Sequence, residues 1–347
     1  MCQLAAYIGD RPIASLLLRA IEHQEAYVAG YATGLGVLED GVLRVEKDVG
    51  HVRKAISTTG ISKLRGTTGI SHSRHTGKAR DDPRHNTKEK AHPFVDGTGT
   101  LALMHNGTLY NYRELWQDLR NRHEFTSYSE DVDDITDSEV AVHILREALD
   151  AGESMEEAIR FLAKAVKGEF LFGVISTEHP ETVWIANWAQ PCVLALNDDE
   201  AMFVSSPIGF YDVREEFDRV FTPPWNSLMK LTRGRVEIST LDPSRRVPRL
   251  NMDGNVLARS ILAVLERNGK MEIRNLRRAL NPDGMAAAYG VSADTFSRYY
   301  KEEHVRPNND YFGVLDMLVR DGMILEEISL VSEAGVPDIP KFFYSLP

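Results

Sequence analysis

The chain has 347 residues, 43% hydrophobic and 26% charged, with a formal net charge of −11 and a pI near 5.5. This is enough apolar chain for one large folded unit or a large unit and a small one, and the acidic balance excludes general affinity for nucleic acid or an anionic membrane surface. No apolar run approaches the ~18 residues of a membrane span and no secretory leader is recognisable; with two cysteines, the expectation is a cytoplasmic protein without a disulfide framework.

In chain order, residues 4–8 (Leu4-Ala5-Ala6-Tyr7-Ile8) read as a buried strand. Residues 11–22 read as a helix, because Ile13, Leu16, Leu17, Ala20 and Ile21 fall at helical spacing. Val37-Leu38 and Val42-Leu43 flank Glu39-Asp40-Gly41, the signature of a tight hairpin over 36–45. Residues 69–72 and 101–104 read as strands. Between them, 74–90 carries Lys78, Arg80, Asp81, Asp82, Pro83, Arg84, Lys88, Glu89 and Lys90 with almost nothing apolar, and is expected to be an exposed, mobile loop. Helices are expected over 112–121, 138–148 and 154–165, the last opening on the capping-box pattern Ser154-x-x-Glu157. After Gly168, strands are expected over 170–175, 183–186, 193–196, 202–204 and 228–231. Helices grouped between sets of antiparallel-looking strands imply an α+β fold of stacked sheets and outer helices.

Asp242-Pro243-Ser244 and Pro248 mark a linker over 241–254. Beyond it, 255–267, 272–280, 294–300 and 308–320 read as short amphipathic helices and 323–331 as a strand, the outline of a small winged-helix-like domain over 255–347. Residues 251–347 hold 11 Lys/Arg against 14 Asp/Glu, a poor electrostatic footprint for DNA. A protein-contact or regulatory role is the expectation there.

Cys2 stands directly behind the initiator methionine. Removal of Met1 would leave a thiol and a free α-amine on one residue, a nucleophile with its general base attached. The alternative is a small core hydrophobe at the head of a strand. Four features follow in order: His72-Ser73-Arg74-His75-Thr76-Gly77 at a strand end, Ala91-His92-Pro93, His105-Asn106-Gly107, and Thr136-Asp137-Ser138-Glu139 at a helix start. Each has a plain structural reading. Asn106-Gly107 is a common hairpin dipeptide, Thr136-x-x-Glu139 is a capping box with Asp137 as a first-turn acid, and Arg74 is one more solvated charge. His72, His75, His85 and His92 lack the spacing of a zinc site, and Cys192 reads as packing.

Taken together behind Cys2, these motifs resemble the class II glutamine amidotransferases, the N-terminal-nucleophile family that includes the glutaminase domain of glucosamine-6-phosphate synthase. The likeness spans about residues 2–240, with Gly30-Tyr31-Ala32-Thr33-Gly34-Leu35 as a looser match. It implies a four-layer αββα sandwich and a glutaminase without metal or cofactor. Cys2 would attack the side-chain amide of glutamine, and Asn106 and Gly107 would stabilise the oxyanion. Arg74, Thr76, His92 and Asp137 would bind substrate, with Arg74 on the α-carboxylate and Asp137 on the α-ammonium. Cys2-Gln3-Leu4 replaces the family's Cys-Gly-Ile, so a side chain at position 3 could crowd the site or alter its gate, and the Arg74-His75-Thr76-Gly77 segment runs one residue short, which leaves lid behaviour and coupling open.

No synthase domain of the kind that accepts ammonia in this family fits the roughly hundred residues after the linker, which implies an acceptor on a separate polypeptide. Self-association is compatible with the sequence. Two other readings stand beside this one: a glutamine-sensing regulator using Arg259, Arg267, Arg274, Arg277 and Arg278 to bind DNA or protein, and an N-terminal-nucleophile amidohydrolase of another substrate.

Overall fold

The computed structural model describes residues 2–246, 250–302 and 308–347. The first stretch runs β1 (Gln3–Ile8), α1 (Ile13–Val28), β2 (Ala32–Glu39), β3 (Val42–Val49), α2 (Val52–Thr58), β4 (Thr68–Ser73), α3 (Gly77–Asp81), β5 (Phe94–Val95), β6 (Leu101–Leu109), α4 (Tyr112–Leu119), α5 (Asp137–Asp150) and α6 (Met155–Ala165). Strands β7 (Gly168–Ser176), β8 (Val183–Trp188), β9 (Val193–Leu196), β10 (Ala201–Val204), β11 (Arg219–Phe221), β12 (Asn226–Thr232) and β13 (Arg235–Thr240) follow. The chain ends in α7 (Gly254–Asn268), β14 (Met271–Glu272), α8 (Ile273–Leu280), α9 (Asp283–Ala288), α10 (Ala293–Lys301), α11 (Asn308–Arg320), β15 (Leu325–Glu333) and β16 (Val336–Ser345).

Successive residues of a strand face opposite ways, and here each strand serves two cores. On β1, Leu4, Ala6 and Ile8 join one cluster, and Ala5 and Tyr7 join another with α1. On β7, Leu171 and Ile175 enter the first cluster, while Phe170, Phe172 and Val174 pack under α5 and α6. These strands read as continuous apolar runs for that reason. One sheet has the order β11-β9-β10-β1-β4-β2-β3 and the other β13-β12-β8-β7-β6-β5, all pairings antiparallel. Helix, sheet, sheet and helix are therefore stacked in that order. The β2–β3 turn takes the expected Asp40-Gly41, both with positive φ (51° and 77°).

The last helices and the β15–β16 hairpin share a core with Ala26, Tyr27 and Val28 of α1, where Tyr27 stacks on Phe312 at 4.0 Å. Lys341 is buried and donates to Ala29 O at 2.7 Å. The expected 241–254 linker falls partly outside the described residues. Its first part is tethered rather than loose, since Arg245 donates to Ala163 O and Val166 O at the end of α6.

Two local expectations are corrected. Residues 74–90 are not an exposed loop throughout: they include α3, and Arg74, Ala79, Asn86 and Lys90 are buried. Arg74 and Lys90 turn inward to a cavity wall while Arg80, Asp81, Arg84, Lys88 and Glu89 stay exposed, a difference that a polar run cannot signal by composition. Thr136 makes no side-chain cap, and Glu139 accepts instead from Thr126 and Ser127 backbone and hydroxyl groups at 2.6–2.9 Å.

Candidate active site

The same alternation delivers the site. Cys2, just ahead of β1, and the even-numbered residues of β1 (Leu4, Ala6) and of β6 (Ala102, Met104) face the space between the sheets, and Asn106 continues the β6 series. Cys2 and Asn106 meet at the end of that space: the Cys2 nitrogen donates to Asn106 Oδ1 at 2.9 Å. The dipeptide Asn106-Gly107 is thus interior to β6, not a hairpin turn. Gly107 has φ 143°, and a Cβ there would lie 2.0 Å from Glu169 O, so only glycine fits. Gly34 of β2 allows a close approach of another kind: a Cβ would strike His92 O at 1.9 Å.

Cys2 Sγ lies 3.4 Å from His75 N, which donates to it, and 3.5 Å from His75 O. Burial pushes the thiol pKa up, while the His75 N–H and the Arg74 charge pull the other way. Gln3 turns away from the cavity and accepts from Ser205 Oγ at 3.0 Å, so the expected crowding does not occur. Its place in strand register explains this, because odd residues of β1 face the opposite side.

A cavity of about 150 Å³ is lined by Cys2, Arg74, Thr76, His92, Gly107 and Asp137, among others. All the sequence-derived site residues except Asn106 line it, and Asn106 touches Cys2. Arg74 is only 7% exposed. Its Nη1 donates to His85 O at 3.1 Å and to Asn86 Oδ1 at 3.3 Å, and no carboxylate among the described residues pairs with it. A buried guanidinium with only neutral hydrogen-bond acceptors keeps its full positive charge at the cavity wall. Asp137 accepts from Leu109 N at 3.0 Å and from Ser138 Oγ at 3.2 Å and lies 3.7 Å from His105 Nδ1. Burial opposes its charge, but His105 and these donors prevail and hold its pKa below the ordinary carboxylate range.

Ser138 Oγ is shared by His92 Nε2 at 2.7 Å and His105 Nδ1 at 2.9 Å. His72 stacks on His92 at 3.9 Å, with its Nε2 3.0 Å from His105 O. Burial drives His72 down to about 3 and His75 and His92 well below the usual imidazole value, so these rings are neutral scaffolding. His105, Ser138, Asn86, Lys78 and Lys90 were missed as site residues. The last two sat in a charged run that reads as solvated, and only their return to the cavity wall distinguishes them.

A helix–sheet–sheet–helix sandwich with cysteine at the head of an inner strand is the fold of the N-terminal-nucleophile glutamine amidotransferases. Residues 81–209 match the family model described as a glutamine amidotransferase domain. It is 31% identical over 214 residues to the isomerizing glutamine–fructose-6-phosphate aminotransferase of Thermococcus kodakarensis, covering 60% of this chain and 32% of that one. It is 27% identical over 261 residues to that of Streptococcus pyogenes, covering 75% and 38%. The chain therefore spans about a third of the length of these curated relatives. The solved glutamine phosphoribosylpyrophosphate amidotransferase from B. subtilis, complexed with ADP and GMP, superposes with a TM-score of 0.60 at 17% identity, covering 84% of this chain and 64% of that one. Among the described residues no helix is long and apolar enough to cross a membrane.

Proposed function

We propose that the chain hydrolyses L-glutamine to glutamate and ammonia and passes the ammonia to a synthase. The observation that carries this reading is the buried Arg74 without a counter-ion, in one cavity with Cys2 and Asp137: an anion site and a cation site flank a thiol, as an amino acid with a reactive side chain requires.

After Met1 removal, the Cys2 α-amine takes the thiol proton and the sulfur attacks the side-chain carbonyl carbon of glutamine. The Asn106 Oδ1 contact orients that amine and leaves Asn106 Nδ2, with the Gly107 N–H, to stabilise the oxyanion. The Cys2 ammonium gives its proton to the amide nitrogen of the tetrahedral species, which collapses with cleavage of the C–N bond and release of ammonia. Water then cleaves the thioester to glutamate and restores the thiol. Thr76 and His92 shape the wall, and Arg74 and Asp137 hold the α-carboxylate and α-ammonium. We read residues 2–240 as the glutaminase domain and 255–347 as a winged-helix-like accessory domain that engages the acceptor. The test is glutamate release from glutamine by protein whose intact mass shows Met1 removed, beside Cys2→Ala. Release from neither, alone or with candidate synthases present, overturns the reading.

A further inference from the structure

Lys90 is 2% exposed and lines the same cavity as Arg74 and Cys2. Among the described residues its Nζ has no hydrogen-bond partner. The carboxylate that most favours its charge is Asp134, and Asp134 is already occupied: Lys78 Nζ donates to it at 2.6 Å, Tyr112 OH at 2.8 Å and Arg113 Nη2 at 3.3 Å. Lys90 is thus an ammonium taken out of water beside a second buried cation, with no compensating group of its own. A fold gains nothing from that arrangement, because burying an unpaired charge opposes folding. A ligand anion repays it.

Resting on the glutamine reading above, we infer that Lys90 is a second substrate-binding residue, which grips the α-carboxylate together with Arg74. Both Nη1 hydrogens of Arg74 are engaged by His85 O and Asn86 Oδ1, so its Nε and Nη2 remain for one edge of the carboxylate. The Lys90 ammonium serves the other. Lys90 is therefore a specificity residue: it discriminates free α-amino acids from analogues whose α-carboxyl is amidated.

The test is a binding titration, which needs no turnover. L-Glutamine and L-glutaminamide are titrated into Cys2→Ala, Cys2→Ala/Lys90→Met and Cys2→Ala/Lys90→Arg, each also melted without ligand. Lys90→Met is expected to weaken glutamine binding by about tenfold or more, the scale of one hydrogen bond to a charged group. It should leave glutaminamide binding unchanged and not lower the unliganded melting temperature. Lys90→Arg should keep most of the discrimination between the two ligands. Unchanged glutamine affinity in Lys90→Met overturns the inference. So does equal weakening of both ligands, or a fall in melting temperature, since each assigns Lys90 a structural role. If Cys2→Ala itself binds no glutamine, the functional reading falls and the inference with it.

Discussion

At the scale of single residues, the site separates chemistry from recognition. Asn106 belongs to the proposed chemistry: its Oδ1 holds the Cys2 nitrogen, and in the proposed mechanism its Nδ2 serves the oxyanion. Asn106→Ala is expected to lower kcat for glutamine hydrolysis by about 10²–10³, with a smaller change in KM, measured by steady-state kinetics. Arg74→Lys is expected to do the reverse. It loses the planar fork while keeping charge, so KM rises by about tenfold or more with kcat little changed. Equal effects of both variants on KM would contradict this division. Cys2, Arg74, Asn106 and Asp137 were legible in the sequence because their order carries the pattern. Lys90 and Asn86 were not, since a buried charge and a solvated one look the same in a polar run.

At the scale of elements, strand alternation does the positioning. Residues 170–175 were expected as a strand, yet its two-sided burial emerges only when helices cover one face and a second sheet the other. Phe172 packs on that helical side, buried beside Phe170 at 4.6 Å. Phe172→Ala is expected to cost about 3–5 kcal/mol of stability, read from denaturant unfolding, and to loosen the cavity-lining His105, whose ring lies 5.0 Å from that of Phe172. Gly107→Ala is a sharper probe. The added methyl meets the Glu169 carbonyl at 2.0 Å, so β6 must shift against β7 and activity should fall further than stability. The edge strand β11 escaped the sequence reading because three residues are too few to show an alternation, and β13 because its alternation is short and largely exposed.

At the scale of the whole molecule, charges are buried where the C-terminal hairpin meets α1. Burial raises Glu25 to about 7, against the opposing pull of Ser73, the Val52 N–H and Lys341. A carboxyl whose folded pKa is raised favours the folded state at low pH. That contribution is complete below the unfolded value near 4.5 and is lost as pH rises through about 7, an effect of order 3 kcal/mol at most. Unfolding midpoints measured between pH 4.5 and 7.5 should therefore carry a downward term in the wild type that Glu25→Gln removes. An identical pH profile for both proteins would refute it.

Asn86 holds Arg74 through Oδ1 and, through Nδ2, donates to Tyr31 O at 2.9 Å and to Ala334 O in the β15–β16 turn at 3.1 Å. Tyr31 in turn donates to Glu333 at 2.8 Å, and Glu333 also pairs with Arg274. Arg74, the proposed carboxylate grip, and the seat of the hairpin thus share one amide side chain. If glutamine binds as proposed, free-energy linkage makes any influence between them mutual: a displacement of the turn that changes glutamine affinity implies that glutamine tightens the turn by the same factor. Amide hydrogen exchange around residues 333–336 should slow when glutamine binds to Cys2→Ala, and Asn86→Ala should abolish that slowing. A protein docking on the hairpin would then sense whether the distant thiol site is filled, with no moving domain to carry the message.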